Sequence, residues 1–445
     1  MSVKAHLEQL GFNNFEQALS QLAHKFKGIL ENAESLSKNG IHALSSHINL
    51  ETPSKFISKS IIIDIGGSST KVALRVHDEL DSIINWILLF EEPNQAFKSA
   101  GSHGFASYCT ELARRIVEAL TKRIMSHADV KALGVVWSNA LESKLVPAVG
   151  VTGLVTRRNE YRKAEWFLED LKDGDDIGRI LIDAFSTHGI KIGKLIVSND
   201  ACLTLKALPH ANAGVVASTG LNGTLIQTQK ENGSSTKKVI CNPELGYNLR
   251  IETSYLCEAD MIAEFIEADR IEYLVGGKFL PKLFASYVCG LATIGFKPLH
   301  HLAERLKALG ESRFEYFSSS DLYALIYNQA SFVQTHAKLE PFSSETLSAL
   351  AELASELILR AARLAGLTCY ASISNQLEDR SVFTVSLDSR LAREIPIFWE
   401  VLQTSLVSLV APPKTVKLAL LQPQKADGGS VSVPMLGAAA ALDSI

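Results

Sequence analysis

The run Ile61-Ile62-Ile63-Asp64-Ile65-Gly66-Gly67-Ser68-Ser69-Thr70-Lys71 limits what this chain can fold into more than any other stretch. Three branched apolar residues in succession read as a buried strand. The strand meets an Asp and then two glycines, which can adopt positive φ and let the backbone approach a ligand closely, as a tight strand-to-strand turn requires. Hydroxyls and amides exposed at such a turn bind phosphate oxygens, and an Asp at the strand end can hold a hydrated Mg²⁺. The pattern is not a P-loop, which needs Gly-Lys-Ser/Thr leading into a helix.

A second turn follows the same logic. Val215-Val216-Ala217-Ser218-Thr219-Gly220 is an apolar strand that enters a hydroxyl-rich glycine turn, and the two turns could grip a triphosphate from opposite sides. Between them, Ser198-Asn199-Asp200-Ala201 lies at a strand end, where a carboxylate could accept the proton of an attacking hydroxyl in phosphoryl transfer. A third element, Ala426-Asp427-Gly428-Gly429-Ser430, precedes an Ala-rich helix, and close backbone approach at its glycines would suit adenosine.

At 445 residues the chain exceeds the roughly 250–300 at which a single core stops growing, so two or three domains are expected. The strand, glycine turn, strand, helix rhythm occurs near 60–130 and again near 195–265, which predicts two related α/β halves facing one cleft. Strands are predicted at 60–76, 83–91, 130–137, 194–198, 214–218, 382–387 and 417–421, with helices over 3–45, 104–127 and 163–188. The formal charge of −4 (44 basic minus 48 acidic side chains) makes no electrostatic case for nucleic acid or an anionic membrane. The six cysteines are scattered without a CxxC and read as reduced, mostly buried thiols. The first residues lack the apolar core of a signal peptide, and the longest apolar runs, such as 83–90, are far too short to span a membrane. These features predict a cytoplasmic protein with no nucleic-acid or membrane partner. Its oligomeric state stays open.

In order and strand context these elements resemble the eukaryotic-type hexokinases across nearly the whole chain. Residues 64–71 match that family's first phosphate motif, whose last position is usually Arg rather than Lys71. Trp137-Ser138-Asn139-Ala140 falls at its Ser-Phe-Pro sugar loop, Thr156-Arg157 at its Thr-Lys pair and Asn199-Asp200 at its Asn-Asp. Ser218-Thr219-Gly220-Leu221-Asn222 falls at the second phosphate motif, Asn242-Pro243-Glu244-Leu245-Gly246 at Asn-Thr-Glu-Trp-Gly, and Asp427-Gly428-Gly429-Ser430 at the adenosine motif. Residues 359–366 and 385–396 resemble the helix and strand-turn segment that precede that last motif.

The resemblance implies an α/β protein with a two-lobed, ribonuclease H-like, actin-like ATPase fold and an active site in the cleft between lobes. Residues 1–58 would form a helical segment on the large lobe, 59–200 the small lobe, 201–429 the large lobe and 430–445 a helix returning to the small lobe. It also implies an ATP- and Mg²⁺-dependent sugar kinase. Asp200 would be the general base, with Arg157 at the acceptor oxygen or the moving phosphoryl. Ser138, Thr156, Asn199, Asn222 and Glu244 would bind the sugar. Asp64, Gly66, Gly67, Ser68, Ser69, Lys71, Thr219, Gly220, Asp427, Gly428, Gly429 and Ser430 would bind ATP, and Asp64 would hold Mg²⁺ through water. The departures fall on the sugar side. Aligned without gaps, Glu272 to Lys282 places Lys282 where the family has its second sugar glutamate, and a lysine donates where a glutamate accepts. That exchange raises an acceptor bearing a carboxylate or phosphate as a hypothesis. Two other classes are compatible with the pattern: a hexokinase-like sugar sensor with little catalysis, and an acceptor-independent ATPase of the same superfold.

Overall fold

The isoleucine run forms the strand Lys59–Ile65, an interior strand of a seven-stranded sheet. In the computed structural model, which describes residues 2–12, 14–50, 56–78, 83–98, 103–156, 166–230, 236–261, 268–336 and 342–445, that sheet runs in the order Ile83–Pro93, Ser69–Asp78, Lys59–Ile65, Ala132–Trp137, Lys194–Asn199, Gly150–Val155, Leu141–Val146. Lys59–Ile65, Ala132–Trp137 and Lys194–Asn199 are parallel neighbours. Buried parallel strands are covered on both faces, which is why they read as unbroken apolar runs. Successive side chains point to opposite faces. Accordingly Ile61 and Ile63 pack in one core and Ile62 in another. Helices Gly104–Lys122 and Ile177–Thr187 supply Leu112, Ile116, Leu181 and Phe185 to the first core. Helices Asp200–Lys206 and Val433–Leu442 supply Leu203, Met435 and Leu442 to the second. These two helices cross so closely that a Cβ on Gly437 would lie 1.8 Å from the Leu203 carbonyl oxygen.

A four-stranded sheet, Leu221–Gly223, Ala213–Ala217, Val382–Asp388, Thr415–Leu420, anchors the largest core. The long helix Ser344–Ile373 buries Leu357, Ala361 and Leu364 in it. Val3, Leu7, Leu22, Phe26 and Leu30 of the N-terminal helices pack into the same core. A three-stranded sheet of Leu44–Ser45, Thr236–Asn242 and Leu225–Lys230 completes this half. Two buried ion pairs act as long-range ties. Arg75 meets Asp443 through two bonds of 2.8 and 2.7 Å, and Arg360 meets Asp260 at 2.7 Å while lying over the Phe12 ring.

Several expected elements differ in extent. The strand predicted over 60–76 is two strands, broken at 66–68 by the glycine turn. The helix predicted over 163–188 is confined to Ile177–Thr187. Gly174 at φ +88° turns the chain, and Asp176 caps the helix by accepting from the Arg179 N–H. Trp166–Leu168 is a short 3-10 turn, and 157–165 lie outside the described residues. The helical stretch predicted over 3–45 is three helices ending at Lys38. The antiparallel pair Leu141–Val146 and Gly150–Val155 had no clear alternation to mark it. No helix among the described residues is long and apolar enough to cross a membrane.

Candidate active site

The three parallel strands end level with one another, because Ile65 is in register with Trp137 and Trp137 with Asn199. The residues that follow, Gly66, Ser138 and Asp200, therefore emerge at one sheet edge. In the second sheet Val216 pairs with Asp388, which brings the Ser218-Thr219-Gly220 turn beside that carboxylate. Open α/β sheets bind ligands at the carboxyl ends of their strands, and here both edges face one cavity of about 240 Å³.

Asp64, Gly66, Gly67, Ser68, Ser69, Ser138, Asp200, Thr219, Gly220, Asn222 and Glu244 all line this cavity. It adjoins a larger cavity of about 1330 Å³ that shares Gly67, Ser68, Thr219, Gly220 and Glu272 and is walled by Lys278, Tyr323, Arg390 and Ile395. Five carboxylates, from Asp64, Asp200, Glu244, Glu272 and Asp388, reach the smaller cavity, and no Lys, Arg or His is among its described lining residues. Sequestration from water pushes the Asp64 carboxyl up to about 6, and the nearby Asp200 and Asp388 push it the same way. A hydrogen bond from Ser432 and the charge of Lys71 pull against them. Asp388 is itself bonded to Arg393 at 2.7 Å.

Asp200 opens the helix Asp200–Lys206 at the position Asn199 caps, and Asn199 Oδ1 accepts from the Ala201 N–H at 2.9 Å. A chain of amides then runs toward Glu244. Asn222 Nδ2 donates to Asn199 Oδ1 at 3.3 Å and to Asn242 Oδ1 at 3.1 Å, and Asn242 Nδ2 donates to Glu244 Oε1 at 2.6 Å. Glu244 sits in the left-handed region at φ +50°, a conformation costly for a side chain with a Cβ and one that concentrates at ligand sites. Asn199 is buried behind the cavity wall, so it positions its neighbours from below.

Other expected site residues lie elsewhere. Lys282 is not among the cavity residues: near the start of helix Leu280–Thr293, its ammonium pairs with Glu315 at 2.9 Å. The carboxylate that this segment sends to the cavity is Glu272, whose Oε1 lies 2.3 Å from where a Cβ on Gly220 would be. Asp427, Gly428, Gly429 and Ser430 form the tip of a small hairpin packed on strand Ile83–Pro93. Asp427 exchanges backbone bonds with Trp86 and Leu88 and pairs with Arg123 at 2.9 Å, so the hairpin lines neither cavity. Ser432, two residues further on, does line the larger one. Lys71 pairs with Glu91 at 2.9 Å. Thr156 lines a separate small pocket beside Asn139 and Ala140, and Arg157 lies outside the described residues.

Sequence reasoning assigns no role to Glu272, Asp388 or Ser432, and it reaches Asn242 only as part of the motif at 242–246. A signal existed for Asp388, since Val-Ser-Leu-Asp-Ser repeats the pattern of an apolar strand ending in Asp. For Ser432 there was none, because its partner is remote in sequence.

The profile of a family described as hexokinase matches residues 212–439. The structure of hexokinase from Schistosoma mansoni complexed with glucose shares 17% identity with a TM-score of 0.73, over 99% of this chain and 100% of that one. Another hexokinase crystal structure shares 15% with a TM-score of 0.64, over 96% and 100%. No curated protein sequence matches the chain. The likeness extends along both sheets and gives the molecule the two-lobed actin-like fold.

Proposed function

The chain belongs to the hexokinase family, and from that premise we propose that it transfers the γ-phosphoryl group of ATP to the primary hydroxyl of a neutral sugar, with Asp200 as general base. The observation that carries the proposal is the placement of Asp200. It lines one cavity together with Ser68, Ser69 and Thr219 of the hydroxyl-bearing turns and with Asn222 and Glu244.

In this reading the amide and carboxylate groups of Asn222, Asn242 and Glu244 fix the sugar hydroxyls through paired donors and acceptors. Asp200 takes the proton as the sugar oxygen bonds to the γ-phosphorus and the bond from that phosphorus to the bridging β,γ-oxygen breaks, the electrons leaving with ADP. Ser68, Ser69 and Thr219 donate to phosphate oxygens. The nucleoside would occupy the larger cavity, whose apolar walls include Phe279, Tyr323, Leu391 and Ile395.

The donor set fits a divalent cation. Asp64 lies close enough to Asp200 and Asp388 for their charges to raise its affinity for a proton, and such shared negative charge favours a cation. Asp64 would hold Mg²⁺ through water, beside the substrate phosphates, since Mg²⁺ commonly keeps several waters at such sites. Bound there, Mg²⁺ would neutralise charge on the phosphates. We place residues 59–200 with the final helix in one lobe and the remainder in the other, their approach excluding water from the cleft.

ADP release measured against a panel of acceptors tests the proposal. Acceptor-dependent release is expected with neutral sugars and should fall by roughly 10²–10⁴-fold in Asp200→Ala. Sugar binding without turnover would instead support a sensor, and ADP release that ignores the acceptor would support an ATPase.

A further inference from the structure

Asn94 commits all four of its polar groups around the first phosphate turn. Its backbone N–H donates to the Ser68 carbonyl at 2.9 Å, and its side-chain amide donates to the Gly66 carbonyl at 3.0 Å. Its side-chain oxygen accepts from the Thr70 hydroxyl at 2.8 Å, and its backbone carbonyl accepts from the Trp166 indole N–H at 3.3 Å. The residue is 1% exposed, and the Thr70 hydroxyl also meets the hydroxyl of buried Tyr108. Within the turn itself, the Gly66 N–H donates to the Ser69 carbonyl at 3.0 Å.

The consequence is electrostatic. A carbonyl oxygen directed at a phosphate repels it, whereas N–H and O–H groups attract it. The carbonyls of Gly66, Ser68 and Ser69 are each satisfied within the protein, the first two by Asn94. Ser68 and Ser69 both line the cavity. Only a neutral amide can do this: it must donate to Gly66 and accept from Thr70 at once, and an ionised carboxylate has no donor.

We propose that Asn94 is a positioning residue that sets the donor face of the phosphate turn and ties it to the 3-10 turn that begins at Trp166. The proposal rests on the nucleotide half of the sugar-kinase reading.

The test is a titration with a fluorescent ATP analogue and Mg²⁺, beside separate kinetic measurements for ATP and sugar. Isosteric Asn94→Asp should weaken analogue binding roughly tenfold or more. Thr70→Val, which removes the hydroxyl that orients the amide, should weaken it by a smaller factor. Thr70→Ser, which keeps that hydroxyl, should restore wild-type binding. KM for ATP should rise in the impaired variants while KM for the sugar stays within about twofold, a split that general loosening of the fold would not produce. Folded Asn94→Asp and Thr70→Val proteins that bind the analogue like wild type would overturn the inference, as would equal losses for sugar and nucleotide. Wild type that binds the analogue but turns over no acceptor would sink the kinase reading alone. Wild type that binds no nucleotide would sink both.

Discussion

Ser432 Oγ donates a hydrogen bond of 2.6 Å to Asp64 Oδ2 across 368 residues of sequence. It links the carboxylate at the end of the central strand to the residue that starts the last helix. The bond favours the ionised carboxylate, yet burial and the facing acids outweigh it, and the group titrates at about 6.

Asp64 thus costs the apo protein stability at neutral pH. Its folded pKa of about 6 lies above the ordinary 3.8, so its stabilising contribution is complete below about pH 4 and is lost as pH rises through 6. Asp64→Asn should be more stable than wild type at pH 7.5, by at most about 3 kcal/mol at some 1.4 kcal/mol per pKa unit, and so unfold at higher temperature. The gap should close toward pH 4, and kinase activity should be lost. Thermal unfolding of both proteins between pH 4 and 8 checks this, and a less stable variant at pH 7.5 would contradict it.

Lys282 is engaged with Glu315 outside the cavity; the lysine is 14% exposed but Glu315 is 75% exposed, so solvent screening holds the pair to about 1 kcal/mol or less. Lys282→Ala is expected to change the sugar KM by less than about twofold. Sugars bearing a carboxylate or phosphate should be poor acceptors, because the described wall of the cavity is acidic. A marked preference for such a sugar, abolished in Lys282→Ala, would return the lysine to the site.

Gly220 leaves the space that the Glu272 carboxylate fills. Gly220→Ala should displace that flexible side chain at little expense in stability, yet lower kcat/KM by roughly tenfold or more, since small misplacements at a reacting centre are costly. Unchanged kinetics in a folded variant would mean that the position of Glu272 is irrelevant to turnover.

Asp443→Ala leaves Arg75 charged and unpaired among apolar neighbours. Both side chains are 2% exposed. Breaking a buried pair from one side costs about 3–5 kcal/mol, which urea unfolding would register directly. A loss under about 1 kcal/mol would show that water or another acceptor takes over.

Much of this architecture was legible because the buried strands carry their own signature. Ile61 to Ile65, Val215 to Ala217 and Val385 to Leu387 are apolar runs that stop at polar turns, and the register of the strands then brings those turns together. Asp200 and Thr219 could be placed in one cavity on that basis, and Glu244 through the resemblance of the motif at 242–246. What stayed hidden depends on partners distant in sequence. Nothing near Lys282 announces that Glu315 takes its charge. Nothing near Asp427 announces that the hairpin docks on Trp86 and Leu88. The helix expected over 163–188 failed for a local reason: the Gly174 turn and the Asp176 cap defeat the apparent periodicity before Ile177.

The helix Val433–Leu442 also bears on how the molecule is made. It seals the face of the central sheet that carries Ile62, Val136 and Ile196, and Asp443 then closes on Arg75. A nascent chain has synthesised that whole sheet more than two hundred residues before this cover emerges from the ribosome. Until then only the helix Asp200–Lys206 and the strands at 225–230 and 236–242 can cover that face, and the remainder is apolar surface. The first half is therefore expected to complete its packing only when the helix Val433–Leu442 is available to dock.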